Sequence, residues 1–480
     1  MIQYSIEELQ KLFQSSSFDK ENYYKEVFKE AQYQQERLNA FVTITKNEAY
    51  ETLRYTDFDL ALGGIPYVLK DNYHTKGIKT TASSRMLEDY IPTYNAHIVD
   101  LLNRQGACLI GKASMDELAM GGTNTTALTG PVSNPWDSSR IAGGSSGGSA
   151  ALVASGVVPF ALGSDTGDSI RKPAGFCGVV GFKPTWGRIS RYGLIPYASS
   201  LDTVGAFTRN VRDMAIVIEA LSGRDDKDMT SSMSRVPHYL DNLDKNIQGM
   251  KIAVIQSIND EITNPLIKTN FEKVIQTFQN LGAIVSEETI PLKLMKALHP
   301  IYTIIANCEA TSHLACLDGI KFGYRASGRT IEEIITRSRT QGLGTSVKHR
   351  LILGHLALAT ENQEKMFRKA QKVRRLIVEE LNRIYKDYDI ILMPNSNTIA
   401  PMLSEVTEYS LNEEKDILEN HLCLANFAGT PSLSLPTGFV DHMPIAVNIM
   451  GRLFEEQTVF NCAYALEAAL HFKNQYSREG

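Results

Sequence analysis

Residues 143–173 read GGSSGGSAALVASGVVPFALGSDTGDSIRKP, and this segment is rich in glycine and serine yet largely apolar. A flexible Gly/Ser linker would lack the interleaved run VASGVVPFALG at 153–163. One interpretation is a set of turns that join buried strands. The other is a backbone brought close to a ligand, because glycine permits positive φ angles and near approach. The concentration of Ser, Thr, Asp and Lys in the same segment favours the second interpretation.

Strand and helix patterns alternate on both sides of this segment. Residues 63–72 (GGIPYVLKDN) are typical of an apolar strand that runs into a polar turn, residues 95–106 of a helix and residues 107–114 of a short buried strand. Strand patterns return at 389–395 and 431–451. The alternation predicts an α/β fold with a partly parallel sheet, and the strands near both ends predict one sheet built from both halves of the chain.

The length of 480 residues corresponds to about three domains at ~150 residues each, but one large α/β fold can hold the same length. Residues 1–60 have a helical pattern that starts with a capping box at Ser5 and Glu8. We expect residues 1–60 to be a helical segment packed on the core and residues 61–480 to be one large domain. Residues 224–350 are a candidate subdomain or insertion within it.

Composition narrows the class of protein. The 43% hydrophobic and 21% charged residues are ordinary for a globular protein. The 49 basic and 54 acidic residues give a net charge of −5, which argues against a broad electrostatic grip on nucleic acid. The N-terminus lacks a basic stretch followed by an apolar one, and the most apolar stretch, 150–163, is too short for a bilayer. We therefore expect a cytoplasmic protein without a membrane span.

Metal sites and disulfides are not expected. The six cysteines are scattered without a CxxC pair, and the histidines show neither HxxxH nor HExxH spacing. In a long chain without a secretory signal, the cysteines are predicted to be reduced and mostly buried.

The glycine-serine segment suggests a serine nucleophile. A serine hydroxyl attacks poorly unless a base removes its proton, and neither serine cluster contains a histidine. Lys70, which ends the apolar strand GIPYVLK, can act as that base if burial depresses its pKa. Ser-Lys pairs are a known variant of triad catalysis. A second serine can relay the proton, and the amides of the TGDS turn suit a tetrahedral oxyanion.

Three separated motifs, GGSSGGS, GSDTGxSIRxP and an upstream GIPxxxKDN, resemble the amidase signature family. The resemblance implies an α/β/α sandwich, in which a central mixed sheet is covered by helices on both faces. It makes Ser169 the nucleophile, Ser145 the proton relay after a cis Gly144–Ser145 peptide, and Lys70 the general base. The implied oxyanion amides belong to Thr166, Gly167, Asp168 and Ser169.

Neighbouring polar residues are expected to be structural. Ser146 and Ser149 are predicted to bind turn amides or cap the following helix. Asp165 is predicted to bind backbone near the nucleophile, and Arg171 to brace the loop by pairing with a carboxylate.

Four further segments, at 112–127, 187–205, 318–325 and 347–354, are similar to the branch of the family that works in tRNA-dependent amidotransferases. The resemblance implies hydrolysis of glutamine and delivery of its ammonia to convert Glu-tRNA(Gln) into Gln-tRNA(Gln). It implies partner B and C subunits, with ATP and Mg²⁺ used in a partner and no cofactor bound by this chain.

The same resemblance assigns two substrate-binding residues. Arg350 in VKHRLILG lies at the position that binds the glutamine α-carboxylate, and a guanidinium suits that group through paired hydrogen bonds. Glu419, seven residues before Asn426, lies where the family has Asp for the α-ammonium group. The alternative for Glu419 is an exposed helical carboxylate.

Asp168 departs from the family, which has glycine in this position of TGGS. An ionised carboxylate beside the oxyanion hole and near Lys70 would oppose the developing negative charge and favour protonated lysine. A carboxylate that points outward would have little effect. Two alternatives stand beside the glutaminase hypothesis. One is a stand-alone amidase of a small carboxamide, and the other is a scaffold that is catalytically impaired by Asp168.

Overall fold

The computed structural model describes residues 3–406 and 417–477, and one mixed sheet of eleven strands organises them. The strands in chain order are β1 Phe41–Ile44, β2 Pro66–Lys70, β3 Cys108–Ala113, β4 Phe160–Asp165, β5 Val180–Lys183, β6 Thr203–Thr208, β7 Lys251–Ile255, β8 Ile284–Glu288, β9 Ile390–Pro394, β10 Ser432–Val440 and β11 Met443–Gly451.

The order of strands across the sheet is β1-β3-β2-β4-β6-β5-β10-β11-β9-β7-β8. The pairs β2/β3, β2/β4, β7/β8 and β7/β9 are parallel, and the remaining pairs are antiparallel. The two halves of the chain meet where β5 pairs with β10, with Lys183 opposite Ser432. The predicted single mixed sheet built from both halves is confirmed.

Seventeen α-helices lie within the described ranges. They are α1 Ile6–Gln14, α2 Lys20–Leu38, α3 Lys46–Tyr55, α4 His97–Arg104, α5 Gly147–Ala154, α6 Arg171–Cys177, α7 Val211–Leu221, α8 Gln256–Asn259, α9 Pro265–Asn280, α10 Leu292–Met295, α11 Leu298–His313, α12 Ile331–Gly342, α13 Thr345–Leu358, α14 Lys369–Ile384, α15 Ile417–Asn420, α16 Leu424–Ala428 and α17 Glu456–Leu470.

The helices form two layers on the central strands. Helices α5 and α6 contact each other, whereas α7 and α17 contact each other, and both groups pack on the central strands. A side chain at Gly181 of β5 would meet Ala174 of α6, whereas the next residue, Phe182, packs on Phe460 of α17. Successive residues of a strand point to opposite faces, so the two pairs of helices cover opposite faces of the sheet.

The N-terminal segment and the candidate insertion supply strands at the two opposite edges of the sheet. Residues 1–60 contain β1, which pairs with β3, so this segment is part of the sheet and not only a helical layer. Residues 224–350 supply β7 and β8 at the opposite edge of the same sheet. The proposed division of the chain into domains stays a prediction.

Helix α5 explains the unusual composition of the glycine-serine segment. All eight of its residues are buried, so it needs no polar face. A side chain at Gly148 would lie 2.5 Å from the carbonyl oxygen of Ser114 and 2.6 Å from that of Ala40. Glycine and alanine therefore allow this helix to pass through the centre of the molecule.

Of the helices that the structure describes, none combines the length and apolarity that a bilayer crossing requires. Over the same residues, no group of three or more His, Cys, Asp or Glu side chains is placed to hold a metal ion. All six cysteines are free thiols and five are buried, as predicted, while Cys316 is exposed.

Candidate active site

Lys70 occupies the carboxyl end of β2, beside the parallel strand β4. Its side chain is completely buried. The Nζ atom lies 2.8 Å from the Oγ atoms of both Ser145 and Ser146, and 3.0 Å from that of Ser164. The carboxyl ends of neighbouring parallel strands meet at one edge of a sheet, so the fold brings residues 70 and 164 together although 94 positions separate them.

Burial lowers the pKa of Lys70 from its ordinary value of 10.5 to about 7. The carboxylates of Asp116, Asp165 and Asp202 act in the opposite direction and raise this pKa. A substantial share of Lys70 is therefore neutral near pH 7. A neutral amine can accept the proton of the Ser145 hydroxyl, while the protonated form donates to that oxygen.

The Gly144–Ser145 peptide is cis, as the family resemblance implied. The segment 112–127 packs against this peptide, and the backbone N–H of Asp116 donates to the carbonyl of Ser145 at 3.2 Å. A side chain at position 144 would lie 2.0 Å from Oδ2 of Asp116, which explains the glycine. The Asn124 side chain also accepts from the N–H of Gly147 at 2.9 Å.

Ser169 lies in the turn between β4 and α6, and it is 4% exposed. In the described part of the chain, the backbone N–H groups of Gly167, Asp168 and Ser169 donate no hydrogen bond. They are consequently available as donors to an oxyanion.

A buried ion pair holds this turn in place. Arg171 donates to Asp165 through Nε at 3.1 Å and Nη2 at 2.9 Å, and both side chains are fully buried. Arg171 also donates to the carbonyl of Gly167 at 2.8 Å, and the N–H of Ile170 donates to Asp165 at 2.9 Å. The predicted bracing roles of Asp165 and Arg171 are confirmed.

The electrostatics of Asp165 favour its ionised form. Burial alone would raise the pKa of Asp165, but the Arg171 charge and the hydrogen bonds from Arg171, Asn426 and Ile170 lower it below its ordinary value. Asn426 in α16 contacts both partners of the ion pair, at 2.9 Å from Asp165 and 2.7 Å from Arg171. These contacts tie the nucleophile turn to the C-terminal half of the chain.

Asp168 forms an ion pair that was not predicted from the sequence. Its Oδ2 atom lies 2.9 Å from Nζ of Lys172, one helical turn further on. The carboxylates that raise the pKa of Lys70 are three other aspartates. Of the two orientations considered for the Asp168 carboxylate, the pair with Lys172 favours the one that points away from Lys70.

Arg350 is half-buried in α13 and donates through Nη1 to the Tyr197 hydroxyl at 3.0 Å. Between Arg350 and the nucleophile turn lies Tyr302, whose ring packs so closely on Gly167 that a side chain there would lie 2.8 Å from it. Burial raises the pKa of Tyr302 far above its usual range; the charge of Arg350 lowers it and that of Asp168 raises it. The fold thus brings Arg350 and the nucleophile turn to the same aromatic side chain.

Glu419 is exposed and lies in α15. Its backbone carbonyl accepts a hydrogen bond from Nζ of Lys172 at 2.7 Å. The exposure matches the alternative interpretation, an exposed helical carboxylate, and its role toward an ammonium group stays a prediction.

Sequence reasoning missed several residues around Lys70. Ser146 precedes α5 but its side chain caps no amide; it contacts Lys70 and donates to the Ser164 carbonyl at 3.1 Å, so the predicted capping role is wrong. Ser149 donates to the Leu162 carbonyl at 2.9 Å, a structural role that differs only in its partner. Ser164 carried one weak signal, its place in a strand that ends beside the nucleophile turn.

Comparison with known proteins shows which family the chain resembles. The Amidase family model matches residues 23–460. The chain is 42% identical to the A subunit of the glutamyl-tRNA(Gln) amidotransferase of Latilactobacillus sakei, over 93% of this chain and 92% of that protein. It is 41% identical to the protein of the same name from Ligilactobacillus salivarius, over 98% and 94% of the two chains.

Solved structures agree. The crystal structure of the A subunit of the glutamyl-tRNA(Gln) amidotransferase from Thermotoga maritima is similar with a TM-score of 0.81 at 36% identity, covering 97% of this chain and 94% of that one. The peptide amidase PAM is similar with a TM-score of 0.81 at 26% identity, covering 97% of each chain. The mixed sheet and its helices are therefore shared by enzymes with different substrates.

Proposed function

The chain belongs to the amidase family, and from that premise we propose that it is the glutamine-hydrolysing A subunit of a glutamyl-tRNA(Gln) amidotransferase. Relatives with that name align with more than nine-tenths of the chain at about 40% identity, which supports this member of the family over a stand-alone amidase. The observation that carries the chemistry is the buried Lys70 amine, 2.8 Å from the Ser145 hydroxyl oxygen.

In the first half of the reaction, neutral Lys70 accepts the proton of Ser145 as Ser145 takes the proton of Ser169. The Ser169 oxygen then forms a bond to the side-chain carbonyl carbon of glutamine. The resulting oxyanion accepts hydrogen bonds from the amides of the turn 166–169. The proton returns through Ser145 to the leaving nitrogen, and ammonia departs as the C–N bond breaks.

In the second half, water attacks the glutamyl ester on Ser169. Ser145 and Lys70 take one proton of that water. As the ester bond breaks, this proton returns through Ser145 to the Ser169 oxygen, which releases glutamate and restores the serine hydroxyl. Lys70 thus takes the place that a histidine base has in other serine enzymes. Its pKa, lowered by burial to about 7, suits an amine that accepts and returns a proton near neutral pH.

Recognition of glutamine is assigned to Arg350 for the α-carboxylate and to Glu419 for the α-ammonium group. The contact between Arg350 and Tyr197 supports the first assignment by orienting the guanidinium. Exposed Glu419 must turn inward to serve the second.

The ammonia passes to a partner. We assign activation of the tRNA-bound glutamate, with its ATP and Mg²⁺, to the B and C subunits of a cytoplasmic complex. None of the steps assigned to Lys70, Ser145 and Ser169 requires either cofactor.

The test is ammonia release from glutamine by this chain, co-expressed with its B and C subunits and supplied with Glu-tRNA(Gln) and ATP. We expect release that disappears in Ser169→Ala while the complex stays assembled. Turnover of other small carboxamides by the isolated chain, unaffected by Arg350→Ala, would support the stand-alone amidase instead. An assembled complex without any release would support the scaffold.

A further inference from the structure

Asp168 and Lys172 lie at the start of α6, and four positions separate them. Their side chains are 20% and 16% exposed, and their charged atoms lie 2.9 Å apart. The backbone joins the same two residues, because the N–H of Lys172 donates to the carbonyl of Asp168 at 2.9 Å. The pair is therefore held by both backbone and side chain.

A third group fixes the Lys172 ammonium from another part of the chain. The carbonyl oxygen of Glu419 accepts from Nζ at 2.7 Å, across 247 positions of sequence. An ammonium group bound from two sides has less rotational freedom than one in an isolated surface pair. Because the ammonium group is fixed, the Asp168 carboxylate can pair with it in only a few side-chain rotamers.

The location of Asp168 makes its orientation important. It stands between Gly167, which packs against the Tyr302 ring, and Ser169, the proposed nucleophile. A carboxylate that rotated toward Ser169 would repel the oxyanion and stabilise the protonated form of Lys70. Both effects would slow acylation.

We propose that Lys172 is a positioning residue, which holds the Asp168 carboxylate away from the reacting atoms so that the turn 166–169 can accept an oxyanion. This inference rests on the proposed serine-lysine amidase chemistry. It adds a role for Lys172 and explains how a turn with Asp in place of the family's glycine keeps its chemistry.

The test compares Lys172→Met in two backgrounds, with Asp168 and with Asp168→Asn. Lys25→Met is the matched control, because it breaks an exposed pair with Glu21 that has the same spacing along a helix. Two rates are measured from pH 6 to pH 9 in the assembled complex. One is kcat/KM for glutamine, and the other is covalent labelling of Ser169 by a fluorophosphonate, followed by intact mass.

We expect Lys172→Met to lower both rates by at least about tenfold and to move the pH midpoint upward. In the Asp168→Asn background the same change should cost less than about threefold and leave the midpoint in place. Lys25→Met should change neither rate. The pH midpoint separates this role from a structural one, since a loosened fold lowers the rate without moving the midpoint.

An equal loss in both backgrounds would overturn the proposal, since Lys172 would then act through Glu419 or the fold. No loss in either background would also overturn it. So would a wild-type chain that is not labelled, whether or not Asp168→Asn restores labelling. If the wild-type chain is labelled but does not hydrolyse glutamine, the proposed glutaminase function fails, and the labelling comparison still decides the role of Lys172.

Discussion

The pH dependence of glutamine hydrolysis tests the role of Lys70 directly. Only the neutral amine can accept a proton, so kcat/KM should follow the neutral fraction of Lys70. With a pKa of about 7, that fraction is about 9% at pH 6 and about 91% at pH 8, a rise of about tenfold. With the ordinary pKa of 10.5, the rise over the same interval would be about 100-fold.

The assay is initial-rate ammonia release by the assembled complex, from pH 6 to pH 9, with secondary structure checked by circular dichroism at each pH. Lys183 provides a demanding control, because burial also lowers its pKa to about 7. Its Nζ donates to the carbonyl of Pro184, whereas the Nζ that contacts the hydroxyls of Ser145, Ser146 and Ser164 is that of Lys70. Lys183→Met should therefore leave the midpoint unchanged, whereas Lys70→Arg should lower the rate by about 10³-fold because arginine stays charged.

Two results would refute the reasoning. A rise of about 100-fold between pH 6 and pH 8 would mean that the pKa of Lys70 lies well above 8 and is not lowered to near 7. A midpoint that moves in Lys183→Met would mean that another buried amine sets the profile.

Three further changes have defined outcomes. Lys70→Met should abolish turnover yet raise the free energy of unfolding at pH 7 by about 2 kcal/mol, measured by urea denaturation. Burial lowers the pKa of Lys70 from 10.5 to about 7, and this shift destabilises the folded state by up to about 5 kcal/mol below pH 7. The destabilisation disappears as the pH rises to 10.5. The hydrogen bonds of Lys70 to the serines, which the variant loses, offset part of it. Arg171→Met should lower that free energy by about 3–5 kcal/mol, because Asp165 stays buried without its partner, and restoration by a second change, Asp165→Asn, would be the check. Arg350→Lys should raise KM for glutamine by about tenfold or more and leave fluorophosphonate labelling of Ser169 unchanged, because lysine cannot form the paired hydrogen bonds of arginine; an unchanged KM would contradict the assignment.

The strands beside the candidate site were predictable where the pattern was strong. The apolar run before Lys70 predicted β2, and the following helix and strand predicted α4 and β3. Helix α5 was predicted only as a helix that the preceding serines could cap, without bounds, because a fully buried helix has no amphipathic period. Strand β1 was missed within a helical-looking segment, because four residues are too few to show an alternation.

The serine-lysine pairing was predictable because its motifs preserve residue types in a fixed order. The environment of Lys70 was not, because the Ser164 hydroxyl and the lowered pKa depend on groups far apart in sequence. The pairing of Asp168 with Lys172 lay within reach, since their spacing of four suits neighbouring positions on a helix.

By itself, the amino-acid sequence determined the α/β class, the family and the identity of the candidate catalytic residues, because these depend on local pattern and motif order. Tertiary structure alone decided whether those residues can act together. Burial of Lys70 requires β2, β4 and α5 to close around it, and the direction of the Asp168 carboxylate depends on an ammonium held from α15. Charge and desolvation act through space, so a pKa or the orientation of a carboxylate is set by neighbours that chain order does not reveal.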